Sequence, residues 1–107
     1  LMMFMDHLIE NTRLIPKKQS KRRFRDEIFL NWGWCCAYCG KMLGERDATL
    51  DHVVPKAKGG LTVRRNLVAC CLGCNSRKAH HPWRGWYRGQ DFWSESRERW
   101  IEEWLEQ

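Results

Sequence analysis

Leu50-Asp51-His52-Val53-Val54-Pro55-Lys56 lies between two cysteine pairs, Cys36-Ala37-Tyr38-Cys39 and Cys71-Leu72-Gly73-Cys74. Two thiolates at Cys-x-x-Cys spacing converge on one ion at about 2.3 Å without straining the backbone, and two such pairs close a tetrahedral shell. The pairs are separated by the 31 residues from 40 to 70, so a zinc scaffold would enclose an adjacent acid and imidazole. Four sulfurs leave no open position for water, which makes the expected zinc structural rather than catalytic. Gly40 and Gly73 stand where the two knuckles are expected to turn tightly. The spacing selects Cys36, Cys39, Cys71 and Cys74 as ligands and leaves Cys35 and Cys70 as small buried hydrophobes.

A chain of 107 residues holds one domain, and a loop-rich one gains from a metal staple. Six cysteines could instead make three disulfides, but such frameworks belong to secreted chains. The apolar residues near the N-terminus are interrupted by Asp6, Glu10 and Arg13, and no stretch reaches the roughly 18–20 apolar residues of a membrane span. The expectation is therefore a reduced metal site in a cytoplasmic protein, without a membrane partner. Net charge is +6, and residues 91–107 carry six acids against two arginines, so the first ninety residues hold +10. That excess calls for a polyanionic partner.

Along the chain, Phe4, Met5, Leu8 and Ile9 recur at helical spacing, and residues 11–19, with Pro16, read as a linker. Ser20 is placed to cap a helix over about 21–32, with Phe24, Ile28 and Trp32 inward and Gly33 as its stop. Residues 49–54 read as a strand ended by Pro55, residues 66–70 as a second strand, and residues 75–80 as a helix. Residues 82–90 read as a connector, and 91–105 as an amphipathic helix capped by Asp91 with Phe92, Trp93, Trp100, Ile101, Trp104 and Leu105 on its apolar face. The expected organisation is an extension over 1–20, a core over 21–90 and a packing helix over 91–107.

The run Leu50 to Lys56, then Gly59-Gly60, then Asn66-Leu67-Val68-Ala69-Cys70-Cys71, then Cys74-Asn75-Ser76-Arg77-Lys78, resembles the HNH endonuclease signature, and the knuckles resemble its zinc-containing branch. The likeness covers roughly residues 32–80, and Asn75 stands where the family often has a third His. It implies an α+β fold: a small ββα-metal (His-Me finger) core with a four-Cys structural zinc site and flanking helices. By the same resemblance His52 is the general base, Asp51 and Asn75 hold one catalytic Mg²⁺ or Mn²⁺, and Asn66 pins the hairpin so that His52 points correctly. The chemistry of the residues agrees. An imidazole with an ordinary pKa of about 6.5 accepts a proton at neutral pH, and Asp and Asn supply the oxygens a hard cation takes. Neighbours on a regular strand face opposite ways, so Asp51 and His52 share a site only if the strand is distorted or ends there.

DNA is the expected substrate, with RNA left open and oligomeric state unread. Lys56, Lys58, Arg64 and Arg65 in the loop, and Arg77 and Lys78 on the helix, are placed to grip phosphates. The basic run over 17–25 extends that footprint or is a solvated helix face. Trp93, Trp100 and Trp104 are expected in the core, with Trp83 and Trp86 the better candidates for base stacking. The competing reading is a non-catalytic zinc-ribbon module that binds nucleic acid.

Overall fold

The computed structural model describes residues 17–107, so the helix expected near residues 4–9 lies outside the described residues. The first helix, α1, spans Lys17–Asn31 and so begins before Ser20, which lies inside it rather than capping it. Its C-terminal half buries Ile28 and Phe29 completely, while Phe24 stays 39% exposed. The end of α1 is a Schellman motif: Trp34 N–H donates to Phe29 O at 2.8 Å and Gly33 N–H to Leu30 O at 3.0 Å. Gly33 takes the required φ of +62°, and the Phe29 and Trp34 rings stack at 4.7 Å as the apolar clasp of the motif.

A two-stranded antiparallel sheet follows, β1 (Ala48–His52) and β2 (Leu67–Cys71), each offset by a residue or two from its expected bounds. Register pairs Thr49 with Cys70, Asp51 with Val68 and His52 with Leu67. β2 is buried at all five positions, because helices cover both of its faces and strand alternation then imposes no polar residues. Helix α2 spans Leu72–Lys78 and starts three residues earlier than expected. The reason is that the second knuckle is itself the helix's first turn: the Cys71 thiol caps it, accepting from Cys74 N–H at 3.4 Å. Gly73 accordingly lies within the helix and takes no positive φ, whereas Gly40 does, at +80°.

The segment expected as a connector forms a further short helix, α3, at Trp83–Arg88, entered through Pro82. Its Tyr87 is fully buried and donates its hydroxyl to Tyr38 O at 2.6 Å. The last helix, α4, spans Glu95–Leu105 and is capped by Ser94 rather than Asp91. Ser94 is held in place because its own N–H donates to the Tyr87 hydroxyl at 3.2 Å. Ile101 is buried against the core. Trp104 meets Trp32 edge-on at 5.5 Å and donates its indole N–H to Leu67 O at 2.8 Å and Arg64 O at 3.0 Å, tying the tail to the hairpin. Trp93 and Trp100 are not core residues, at 41% and 53% exposed. Trp93 instead donates to Glu98 at 2.8 Å, a carboxylate also held by Arg88. Trp86 packs edge-on to Tyr38 at 5.1 Å, and Arg84 lies over the Trp83 ring, so both tryptophans expected to stack on bases are engaged within the fold. No helix among the described residues is long and apolar enough to cross a membrane.

Candidate metal centre and active site

The two knuckles bring Cys36, Cys39, Cys71 and Cys74 together, with all four sulfurs within 4.8 Å of one another. A tetrahedral ion with sulfurs at about 2.3 Å sets them about 3.8 Å apart, and Cys39 and Cys71 stand at 3.9 Å. All six cysteines are free, in keeping with a thiolate site rather than disulfides. Backbone bonds shape the first knuckle: Cys36 N–H donates to Lys41 O and Gly40 N–H to Cys36 O, both at 2.9 Å. Ala37 N–H donates to Ala69 O at 2.8 Å, which fixes the knuckle to β2. The Cys70 and Cys74 thiols beside Cys36 hold its own thiol well below the usual range. Cys70 is buried as expected, but Cys35 is half-buried and its thiol faces Gly33 O at 3.4 Å.

Asn66 closes the loop between the strands with three bonds. Its amide oxygen accepts from Val54 N–H at 2.9 Å, and its amide nitrogen donates to Val54 O at 3.0 Å and Leu61 O at 2.9 Å. Within that loop a Cβ on Gly60 would stand 1.7 Å from Val54 O, so only glycine lets the chain cross itself there. The closed loop carries Thr62 to the end of β1, where its hydroxyl lies 2.8 Å from His52 Nε2. Partial burial and the nearby Lys56 charge lower the His52 pKa below its ordinary value, against the smaller opposing pull of Asp51, and so favour the neutral ring.

Strand alternation does separate the two neighbours. Thr49 and Asp51 face α2, while His52 faces the loop. On the α2 side, Asn75 donates its amide N–H to Thr49 Oγ1 at 2.9 Å, and its amide oxygen accepts no hydrogen bond from the described residues. Asp51 is only 4% exposed, and burial pushes its carboxyl pKa up, countered by Lys78 and by the Tyr38 hydroxyl at 2.7 Å. The Lys78 ammonium lies 3.2 and 3.4 Å from the two Asp51 oxygens and donates to His52 O at 3.0 Å. Lys78 is therefore not the surface phosphate grip expected of it: it is 0% exposed, turned inward to neutralise a buried carboxylate. Arg77 is exposed, with its guanidinium 3.9 Å from Cys74 Sγ and 6.0 Å from the centre of the Phe92 ring. Lys56, Lys58, Arg64 and Arg65 are exposed around the loop, with Arg64 paired to Glu27 of α1 at 3.0 Å.

Sequence reasoning missed Tyr38, Thr49, Thr62 and the inward turn of Lys78. Two of these had a signal: Lys78 is three residues after Asn75, on the same helix face, and Thr49 is two residues before Asp51, on the same strand face. Thr62 had none, because a loop residue's reach depends on how the loop closes.

Hairpin, following helix and four-sulfur centre together define an α+β module of the ββα type, braced by a group of cysteines able to hold a metal ion. Residues 36–83 match the family described as HNH endonuclease, which bears out the resemblance read from the signature residues. Over 55 residues the chain is 46% identical to the CRISPR-associated endonuclease Cas9 of Actinomyces naeslundii, covering 50% of this chain and 5% of that protein. It is 42% identical over 52 residues to the protein of the same name from Corynebacterium diphtheriae, covering 48% of this chain and again 5% of the relative. The crystal structure of the Type II-C Cas9 enzyme from Actinomyces naeslundii is similar at a TM-score of 0.58 and 27% identity, over 77% of this chain and 12% of that one. The chain thus spans about a twentieth of the length of the curated relatives it matches.

Proposed function

We propose that this protein is a metal-dependent endonuclease that hydrolyses DNA phosphodiester bonds, with zinc in the four-cysteine centre as a structural ion. The reading is carried by one observation: a half-exposed imidazole, favoured in its neutral form, stands at the end of β1, next in the chain to the Asp51 carboxylate and within a stretch matching HNH endonucleases. With Nε2–H donating to Thr62 Oγ1, the lone pair of His52 is on Nδ1, and Nδ1 takes the proton of the attacking water. Asp51 and Asn75 offer the hard oxygen donors that Mg²⁺ or Mn²⁺ takes, and such an ion, when bound, supplies charge to stabilise the phosphorus centre and the departing 3′ oxygen. Asn66 holds the loop that orients His52 through Thr62. Lys56, Lys58, Arg64, Arg65 and Arg77 grip backbone phosphates on either side of the scissile bond. The exposed basic half of α1, including Lys18, Lys21 and Arg22, extends that track, because the Arg64–Glu27 pair joins α1 to the loop.

Nicking of supercoiled plasmid by zinc-loaded protein with added Mg²⁺ or Mn²⁺ tests the reading. His52→Ala is expected to lower the rate by about 10²–10⁴-fold, while zinc content, melting temperature and DNA retention without divalent ions stay as in the wild type. Protein that retains DNA but cuts none with either ion would instead be a zinc-ribbon binding module.

A further inference from the structure

We propose that Lys78 is the resident counter-ion of Asp51, a positioning residue that occupies a cation's place at that carboxylate and thereby weakens the binding of a divalent ion. This rests on the reading of Asp51 as an ion ligand. Lys78 is fully buried, and Asp51 nearly so. A lysine is found in such a position only when its charge is matched, and here the match is with the two oxygens that reading assigns to an ion. The third contact of the ammonium, His52 O at 3.0 Å, anchors it at the strand end from which His52 projects. The Tyr38 hydroxyl donates to the same carboxylate, to Oδ2 at 2.7 Å. The carboxylate is consequently held and aimed before any ion arrives.

A dication entering this pocket meets two opposing effects. It must take carboxylate oxygens away from the ammonium, and it is then repelled by that ammonium across a few ångströms of poorly screening interior. When Asp51 passes to the ion, the His52 carbonyl is still available to Lys78 as an acceptor. Removing the ammonium reverses both effects. The ion-free protein loses stability because a buried carboxylate is left alone, and the ion gains an unopposed ligand.

The test uses the zinc-loaded full chain without nucleic acid. Mn²⁺ binding is counted by electron paramagnetic resonance, and melting temperature is followed through a Mg²⁺ titration. Lys78→Met is expected to melt lower than wild type without Mg²⁺, to recover more on adding it, and to bind Mn²⁺ at least about tenfold more tightly. Asp51→Asn is expected to abolish Mn²⁺ binding in both backgrounds. A lysine with a purely structural role would lower the melting temperature and leave Mn²⁺ affinity unchanged. Unchanged or weaker affinity in Lys78→Met, with binding still lost in Asp51→Asn, would overturn this inference and leave the ligand reading standing. Binding indifferent to Asp51→Asn would overturn both. Lys78→Gln, which keeps a donor for His52 O without the charge, carries the same comparison if Lys78→Met does not fold.

Discussion

Thr62 shows how much of a site can rest on one exposed hydroxyl. Its hydroxyl lies 2.8 Å from His52 Nε2, and in the proposed mechanism it accepts from Nε2–H, which leaves the Nδ1 lone pair to act as base. Thr62→Val keeps the shape and removes the partner, and is expected to lower the nicking rate on the order of tenfold, with DNA retention unchanged and activity restored by Thr62→Ser. A rate equal to wild type would show that the tautomer is set elsewhere. Among single residues, the four cysteines that the fold gathers were legible by spacing, and His52, Asp51, Asn66 and Asn75 were selected as candidates by motif. Lys78 was not, because an exposed and a buried lysine are spelled alike; only the carboxylate beside it distinguishes them.

At the scale of elements, helix ends decided most of the differences between expectation and structure. Ser20 and Asp91 have the right chemistry for N-caps, but Ser94 caps α4 and Ser20 lies inside α1. A cap works only where the backbone already leaves the helix, and for α4 that point is set by the Tyr87 hydroxyl holding Ser94 N–H, a contact seven residues back. Gly33 was read correctly as a stop because it takes a backbone conformation that L side chains resist. Ala79, at the end of α2, also takes a positive φ without being glycine, with φ 49° and ψ −127°. It occupies the first central position of a tight turn closed by His81 N–H to Lys78 O at 3.0 Å, a place glycine fills in turns of this hand. Ala79→Gly is therefore expected to stabilise the protein by about 1 kcal/mol, read as a higher urea midpoint with unchanged slope. A lower midpoint would mean that the turn carries no strain.

Across the whole molecule, the four-sulfur centre is where otherwise separate parts meet. The first knuckle leads directly from the end of α1 and bonds to β2, and the second is the first turn of α2. The hairpin contributes two strands of five residues each, too little to be stable alone in water. Chelating the ion is therefore expected to remove the cooperative thermal transition and most of the helical circular dichroism signal, with both returning on adding zinc. A chelated protein that still melted cooperatively near the original temperature would show that the aromatic core of Phe29, Tyr38 and Tyr87 suffices. The sequence by itself determined which cysteines gather at one centre, the order of hairpin and helix, and the candidate residues for an oxygen-loving ion or a proton, because spacing and residue chemistry are local properties. The tertiary structure alone decided that Asp51 and His52 face apart, that Lys78 turns inward and that Trp93 and Trp100 stay exposed. Each of those outcomes depends on which surface an element meets, and that follows from the simultaneous packing of segments far apart in the chain.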